Sequence, residues 1–335
     1  MDSLDVDCLS IILAKMTAWQ LLLLWRTGSI KTRLCIEKHC QQFGCHLDIN
    51  RELYHWIGGA NAFGLDPLMI FVENLPMWAN VKSLTLWADI GEVKCETDGV
   101  IFTSMLRCLS AKYPRMVSIQ LEIISKKFFD ETLPHLPQLC VLKTGRFAYY
   151  EAGVETDLSI RTISQSIVNL TVQAQYLKRF VCKNLQVLHL IDWSSRRGEL
   201  KILKNCLHLR TLTLESGHWY SKRFGVEIKP MSLLKKFQTL PQITTLRVIV
   251  PVFIYMSKFR YRHHRPRKEV QELCQHWVDA TSTITSTRTL QICEKQGNII
   301  PYTWTESEMV ALSDDAHEQG IYFQYICPQD FLKQT

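Results

Sequence analysis

Five residues in one twelve-residue span have metal-binding side chains: Cys35, His39, Cys40, Cys45 and His46. Thiolates and imidazoles are the usual ligands of structural zinc, which takes them as C-x2–4-C pairs with a second pair at a distance. Here both gaps, Cys35 to Cys40 and Cys40 to Cys45, are C-x4-C, the widest in that range, with no second cysteine pair of this kind at a distance and no C-x-x-C anywhere in the chain. Cys35 and Cys40 fall on a predicted helix and its exit, so they read as packing residues, and no metal or cofactor is expected.

A second group could do electrostatic work. Lys258, Arg260, Arg262, Arg265, Arg267 and Lys268 lie within eleven residues, interleaved with Phe259, Tyr261, His263 and His264. Such a run could hold phosphate, an acidic peptide, RNA or a nuclear import receptor. The net charge is +7, yet removing those six from the 39 basic residues leaves 33 against 32 acids. One basic segment argues against an extended nucleic-acid surface, and the run reads as a solvated loop between the strand predicted at 243–250 and a helix near Val270. Nucleic acid is therefore not an expected partner. No glycine-rich phosphate loop, G-x-S-x-G elbow or H-E-x-x-H occurs, so no enzyme is expected. Trp87, Trp193 and Trp219 stand just after predicted strands, as interface anchors or as seals on the ends of the core. The Asn169-Leu170-Thr171 sequon reads as chance, because Leu170 is a predicted buried strand residue.

The elements that would position any site follow from the apolar rhythm. Asp5 or Asp7 can cap a first helix carrying Val6, Leu9, Ile12, Leu13 and Met16. Thr17 can cap a second with Leu21, Leu22, Leu24 and Trp25. Gly28 ends that helix, and Ser29 can start a third with Ile30, Leu34 and Ile36. The apolar stretch 9–25 follows three aspartates and contains Lys15 and Gln20. It therefore fits neither a signal peptide nor a spanning helix, and no membrane partner is expected. The twelve cysteines are read as reduced thiols, and the location as cytoplasmic, nuclear or both.

Beyond Gln41 a unit L-x-x-L-x-L recurs, with other aliphatics allowed. It appears as Val81-Leu84-Leu86, Met116-Ile119-Leu121, Leu139-Leu142-Thr144, Ile167-Leu170-Val172, Leu185-Leu188-Leu190, Leu209-Leu212-Leu214, Ile243-Leu246-Val248 and Thr287-Leu290-Ile292. The middle residues are 35, 23, 28, 18, 24, 34 and 44 positions apart. The residue inside each L-x-L is polar every time: Thr85, Gln120, Lys143, Thr171, His189, Thr213, Arg247 and Gln291. Alternate residues of a strand face opposite ways, so these eight should form one exposed column if the strands stack in a single parallel sheet. Residues 67–75, 99–109, 198–206, 232–240 and 270–280 carry apolar residues at helical spacing and can cover the other side. Leu75-Pro76, Leu133-Pro134 and Leu240-Pro241 stand ahead of strands, where proline ends a helix and turns the chain extended. Cys182 and Cys206 each precede a strand leucine by three residues and read as small buried residues.

The N-terminal pattern resembles an F-box. Leu4 with an acidic stretch, then Leu9, Ile12, Leu13 and Met16, then Leu21-Leu22 and the run L-L-L-W-R-T-G-S at Leu22–Ser29, carry the likeness, which covers about residues 2–40. Asp5 stands where F-boxes usually have proline. The remainder resembles the leucine-rich-repeat regions of F-box proteins. It departs from them in having no Asn or Cys three residues after each L-x-L, where Asp89, Ile124, Phe147, Gln175, Trp193, Gly217, Pro251 and Lys295 stand instead.

The resemblance implies an α/β chain with a three-helix F-box-like head at 1–42 and an irregular leucine-rich-repeat solenoid with a parallel sheet at 43–335. It also implies a substrate receptor of a Skp1–cullin–F-box ubiquitin ligase. Leu4, Leu9, Ile12, Leu13, Met16, Leu21, Leu22 and Leu24 would hold a Skp1-like adaptor and so join a cullin complex, while the polar column holds a target protein. The rival expectation is a repeat scaffold whose N-terminal helices only cap the solenoid. Burial of Leu21, Leu22 and Trp25 would favour capping, and their exposure would favour the adaptor.

Overall fold

Helices and parallel strands alternate along the chain, as the repeated apolar rhythm requires. The computed structural model describes residues 6–57, 66–86, 96–121, 133–144, 162–163, 166–174, 177, 180–181, 183–191, 203, 205–215, 242–251, 255–256, 262–263, 267–284, 286–295 and 305–326. The chain divides into two units, residues 1–169 and 170–335. The boundary expected at 42/43 falls inside the first of them.

In the first unit three helices open the chain: α1 (Val6–Leu13), α2 (Ala18–Thr27) and α3 (Ile30–Phe43). Their ends follow the capping residues. The Thr17 N–H donates to Gln20 Oε1 at 2.9 Å, and the Thr32 N–H donates to Ser29 Oγ at 3.2 Å. Gly28 lets the next helix approach closely: a Cβ there would sit 2.7 Å from the Leu24 carbonyl oxygen and 2.9 Å from Thr32 Cγ2. Gly44 stops α3 at a φ of +76°, a conformation that L side chains rarely adopt. Strand β1 (Cys45–Ile49) follows at once, then α4 (Arg51–Trp56), α5 (Asp66–Asn74), β2 (Val81–Leu86), α6 (Glu96–Lys112), β3 (Ser118–Leu121) and β4 (Val141–Thr144). The strands lie in the order β1-β2-β3-β4, each paired in parallel with the next.

The second unit repeats the pattern. It holds β5 (Asn169–Gln173, its first residue belonging to the first unit), β6 (Val187–Ile191), β7 (Thr211–Glu215), β8 (Thr245–Pro251), α7 (Arg267–Ser282), β9 (Thr289–Lys295), α8 (Glu306–Glu318) and β10 (Tyr322–Ile326). The strands again lie in chain order, with parallel pairing from β6 to β10. Register follows the leucines. Leu47, Leu84, Ile119 and Leu142 are partners across the first unit, as are Leu188, Leu212, Leu246, Leu290 and Phe323 across the second. These side chains are buried, and each contributes about 1.5–3 kcal/mol by leaving water.

Strand entry has a signature of its own. Buried residues fall at every third position, as in Leu133-Leu136-Leu139, Leu203-Cys206-Leu209 and Thr281-Ile284-Thr287. Each step is closed by a three-residue backbone hydrogen bond of 2.9–3.1 Å. The carbonyl just before or at the strand start then accepts two N–H groups from the following turn. Val117 O takes those of Cys140 and Val141, Gln186 O those of Arg210 and Thr211, Arg210 O those of Thr244 and Thr245, and Thr244 O those of Arg288 and Thr289.

This entry corrects one part of the expected role of Leu-Pro. Helix α5 ends at Asn74, ahead of an extended Pro76, but the chain then makes a 3-10 turn over Met77–Ala79 and a left-handed residue, Asn80, before the strand, and Leu133–His135 is itself a 3-10 turn. Leu240-Pro241 lies outside the described residues. The helices expected at 67–75, 99–109 and 270–280 correspond to α5, α6 and α7. Residues 232–240, and 198–206 apart from Leu203, Asn205 and Cys206, lie outside the described residues. Strands β1 and β10 were not among the eight expected.

Candidate functional site

Two surfaces were expected to work: the described residues place the head in the first unit and a part of the polar column in each unit. On the three N-terminal helices, Leu9, Leu13, Leu21 and Leu22 are buried, Met16 and Leu24 are half-buried, and Ile12 is exposed; Leu4 lies outside the described residues. Helix α2 packs against α3 and β1, α1 against α3, and α3 against the 77–79 turn. Residue Thr17 bridges to His46, which ties the start of α2 to the sheet edge.

Trp25 is fully engaged. Its indole Nε1 donates to Glu37 Oε1 at 2.7 Å, its ring lies 5.6 Å from that of Trp78, and the Arg33 guanidinium sits 5.4 Å from its centroid. Trp19 and Trp56 approach at 5.8 Å, and Trp56 meets Phe71 edge-on at 6.3 Å, which joins α2 to α4 and α5. The apolar stripe named from helical spacing is therefore mostly the stripe that holds the head to the sheet.

A second apolar set stays in water. Ile11, Ile12, Leu23, Ile30, Leu34 and Phe43 are exposed, and they make up six of the 13 exposed large apolar side chains among the described residues. Ile30 and Leu34 are four apart on α3 and share a face. Helical spacing alone missed Ile11, Leu23 and Phe43, because only the presence or absence of a neighbour decides which stripe is covered.

The polar column is real in register and different in character from expectation. In the first unit Asp48, Thr85, Gln120 and Lys143 are partners from β1 to β4. In the second, His189, Thr213, Arg247, Gln291 and Gln324 are partners from β6 to β10, and Thr171 lies half-buried on β5. Asp48 and Gln324 extend the column beyond the expected eight. Thr85 and Thr213 are buried and the others half-buried, so the column is no freely exposed face. Neighbouring strands stand about 4.8 Å apart, so equivalent side chains stack and cover one another. Three of them bond to one another: Arg247 Nε donates to Gln291 Oε1 at 2.8 Å, and Gln291 Nε2 donates to Gln324 Oε1 at 3.0 Å. Beside the row, His189 Nε2 lies 3.0 Å from Glu215 Oε2, two residues on from its register partner Thr213. Burial pushes the Cys293 thiol up to about 11 against an opposing pull from Arg247.

The cysteine–histidine cluster packs rather than reacts. Cys40 is fully buried, and Cys45 Sγ donates to the Ala79 carbonyl at 2.7 Å. The hydrogen bond between the two thiols, together with burial, holds Cys45 far above the thiol range; the same bond draws Cys40 down against burial, which pushes it up. His46 Nδ1 lies 2.8 Å from Ser83 Oγ, and burial lowers the pKa of both His39 and His46, Asp48 pulling the latter back up. Of the basic run, Arg262 and His263 form a short strand paired antiparallel with Met256 and Tyr255, and Arg267 and Lys268 open α7; Lys258, Arg260 and Arg265 lie outside the described residues. So do Trp87, Trp193, Trp219 and Cys182. Among the described residues, no helix is long and apolar enough to cross a membrane.

No family model matches the chain, and no curated protein matches it.

Proposed function

We propose that the chain is a non-catalytic receptor of the F-box, leucine-rich-repeat kind. Its head docks on a Skp1-like adaptor of a cullin ubiquitin ligase, and its strand array holds a target protein. The observation that supports this most directly is the double-sided head. Leu13, Leu21 and Ile36 already fill its core, yet Ile11, Ile12, Leu23, Ile30 and Leu34 remain in water. Surplus apolar surface on so small a group of helices calls for a covering partner. The adaptor-facing residues in this reading are those five rather than the buried leucines. The sequential parallel strands supply the receptor surface, and the task is to raise the target's effective concentration near a reactive thioester held by other subunits. That role sets the protein in the cytoplasm or nucleus.

A second reading, the scaffold whose helices cap the repeat array, is favoured by the burial of Leu21 and Leu22 and by the engagement of Trp25. Co-purification with a Skp1-like adaptor separates the two. The receptor reading expects a one-to-one complex that Ile30→Asp with Leu34→Asp abolishes while the unfolding midpoint is kept. A wild-type chain that retains no adaptor leaves the capping role in place.

A further inference from the structure

A cavity of about 490 Å³ opens in the first unit where α1, the end of α3 and the starts of β1 and β2 meet. That volume lies in the range of small-molecule sites. Leu13, Met16 and Leu21 form apolar wall, and the exposed Ile11 and Phe43 also line it. The polar groups are few. Among the described residues, His39, His46 and Lys82 line the cavity with Ser10 and Ser83, and no carboxylate does, so any charge these residues carry there is positive.

His39 is only 8% exposed and its Nδ1 is buried, so that nitrogen is closed to the cavity and Lys82 is the charged group at the wall. Gly44 fixes where that lysine stands. A Cβ at that position would stand 2.5 Å from Lys82 Cγ and 2.6 Å from Lys82 Cδ, so glycine makes room for the lysine stem at the cavity wall. The left-handed φ of +76° there disfavours any other residue.

We propose that this cavity binds a small amphipathic monocarboxylate, its apolar body against Leu13, Met16 and Leu21 and its carboxylate met by Lys82. The His46 Nδ1 is already engaged with Ser83, which leaves Lys82 as the group that reads the head. The site shares Ile11 with the adaptor-facing set and none of the other four residues.

The test uses the full chain and dodecanoate, followed by titration calorimetry, with dodecan-1-ol as the uncharged match. Dodecanoate is expected to bind saturably, one per chain, at least about tenfold tighter than the alcohol, as a charge-assisted hydrogen bond requires. Lys82→Met should weaken the acid about tenfold and leave the alcohol unchanged. Ala14→Trp, a change at an exposed residue lining the cavity, should block both at an unchanged unfolding midpoint. Equal affinity for acid and alcohol overturns the carboxylate assignment. Binding that survives Ala14→Trp, or that exceeds one per chain without saturating, is adsorption to exposed apolar side chains and overturns the site, as does the absence of binding.

Discussion

On helices α1–α3 large apolar side chains stand both in the core and in water: Leu13, Leu21 and Ile36 inside, Ile11, Ile30 and Leu34 outside. In the strands of the second unit the division is sharper along the row. Leu188, Leu212, Leu246 and Leu290 are buried, and the residue that follows each is polar, with Arg247 and Gln291 bonded across the strands. Ile249, Cys293 and Ile326 bury an apolar set two positions beyond the row. The two regions spend their surfaces differently. The head leaves apolar area in water, whereas the strand row bonds some of its polar groups to one another. A partner of the head would gain affinity from burial, and a partner of the row would gain specificity from geometry.

Four measurements can break or sharpen this contrast. The largest effect belongs to the strand leucines. Leu212→Ala should cost about 2–5 kcal/mol in urea denaturation, because a cavity remains between two paired strands. A loss near 0.5 kcal/mol would mean that the strand core is not close-packed.

Next comes the row itself. Gln291→Ala removes the acceptor for Arg247 and the donor to Gln324, and should cost about 1–2 kcal/mol. No change in the denaturation midpoint would show the row to be ordinary solvated surface. Smaller still for stability is Ile30→Asp with Leu34→Asp, expected within about 0.5 kcal/mol of wild type because both sites are exposed. A severe loss there would mean that this apolar stripe also belongs to the core, and would erase the contrast.

The smallest expected effect is on pH dependence. Burial lowers the pKa of His39 and His46 in the folded chain, so the unfolded chain takes up protons first. Stability from these groups is fully present above the ordinary histidine value of 6.5 and is lost as pH falls from there toward the folded values. His39→Phe should flatten the thermal midpoint between pH 7 and pH 5.5; a profile unchanged in the variant would show that His39 titrates alike in both states.

Much of the strand architecture was legible because two independent signals agree on it. Leucine spacing sets the strand and the polar residue within sets the face, so all eight expected strands fall where L-x-x-L-x-L stands. Strands β1 and β10 escaped because each shows only the second half of the unit: Leu47-Asp48-Ile49 has Gly44 rather than an aliphatic three residues earlier, and in β10 Phe323 and Tyr325 replace the aliphatics, although Ile321 and Ile326 flank them. The triplet rhythm before the strands was also visible, in Leu133-Leu136-Leu139, but it resembles a helical spacing until the backbone closes it at three residues.

The working face of the head was not legible in the same way. Helical spacing marks an apolar stripe, and both stripes of α1 and α3 are apolar. Only the sheet that follows determines that Leu9, Leu13 and Ile36 turn inward. The cavity was beyond sequence reading altogether, since His39 and Lys82 are forty-three residues apart and line one cavity only because β1, which follows α3 directly, pairs with β2.

One backbone feature has evolutionary reach. Because a single carbonyl receives two N–H groups at successive strand entries, the geometry of arrival is reset at each of those turns, whatever the chain did in between. Middle strand residues 24 to 44 positions apart in the second unit therefore enter with the same hydrogen bonds. Segments between those strands can be lengthened, shortened or exchanged without shifting the register. A lineage carrying this chain could thus alter what hangs from one turn while every other turn stays in place.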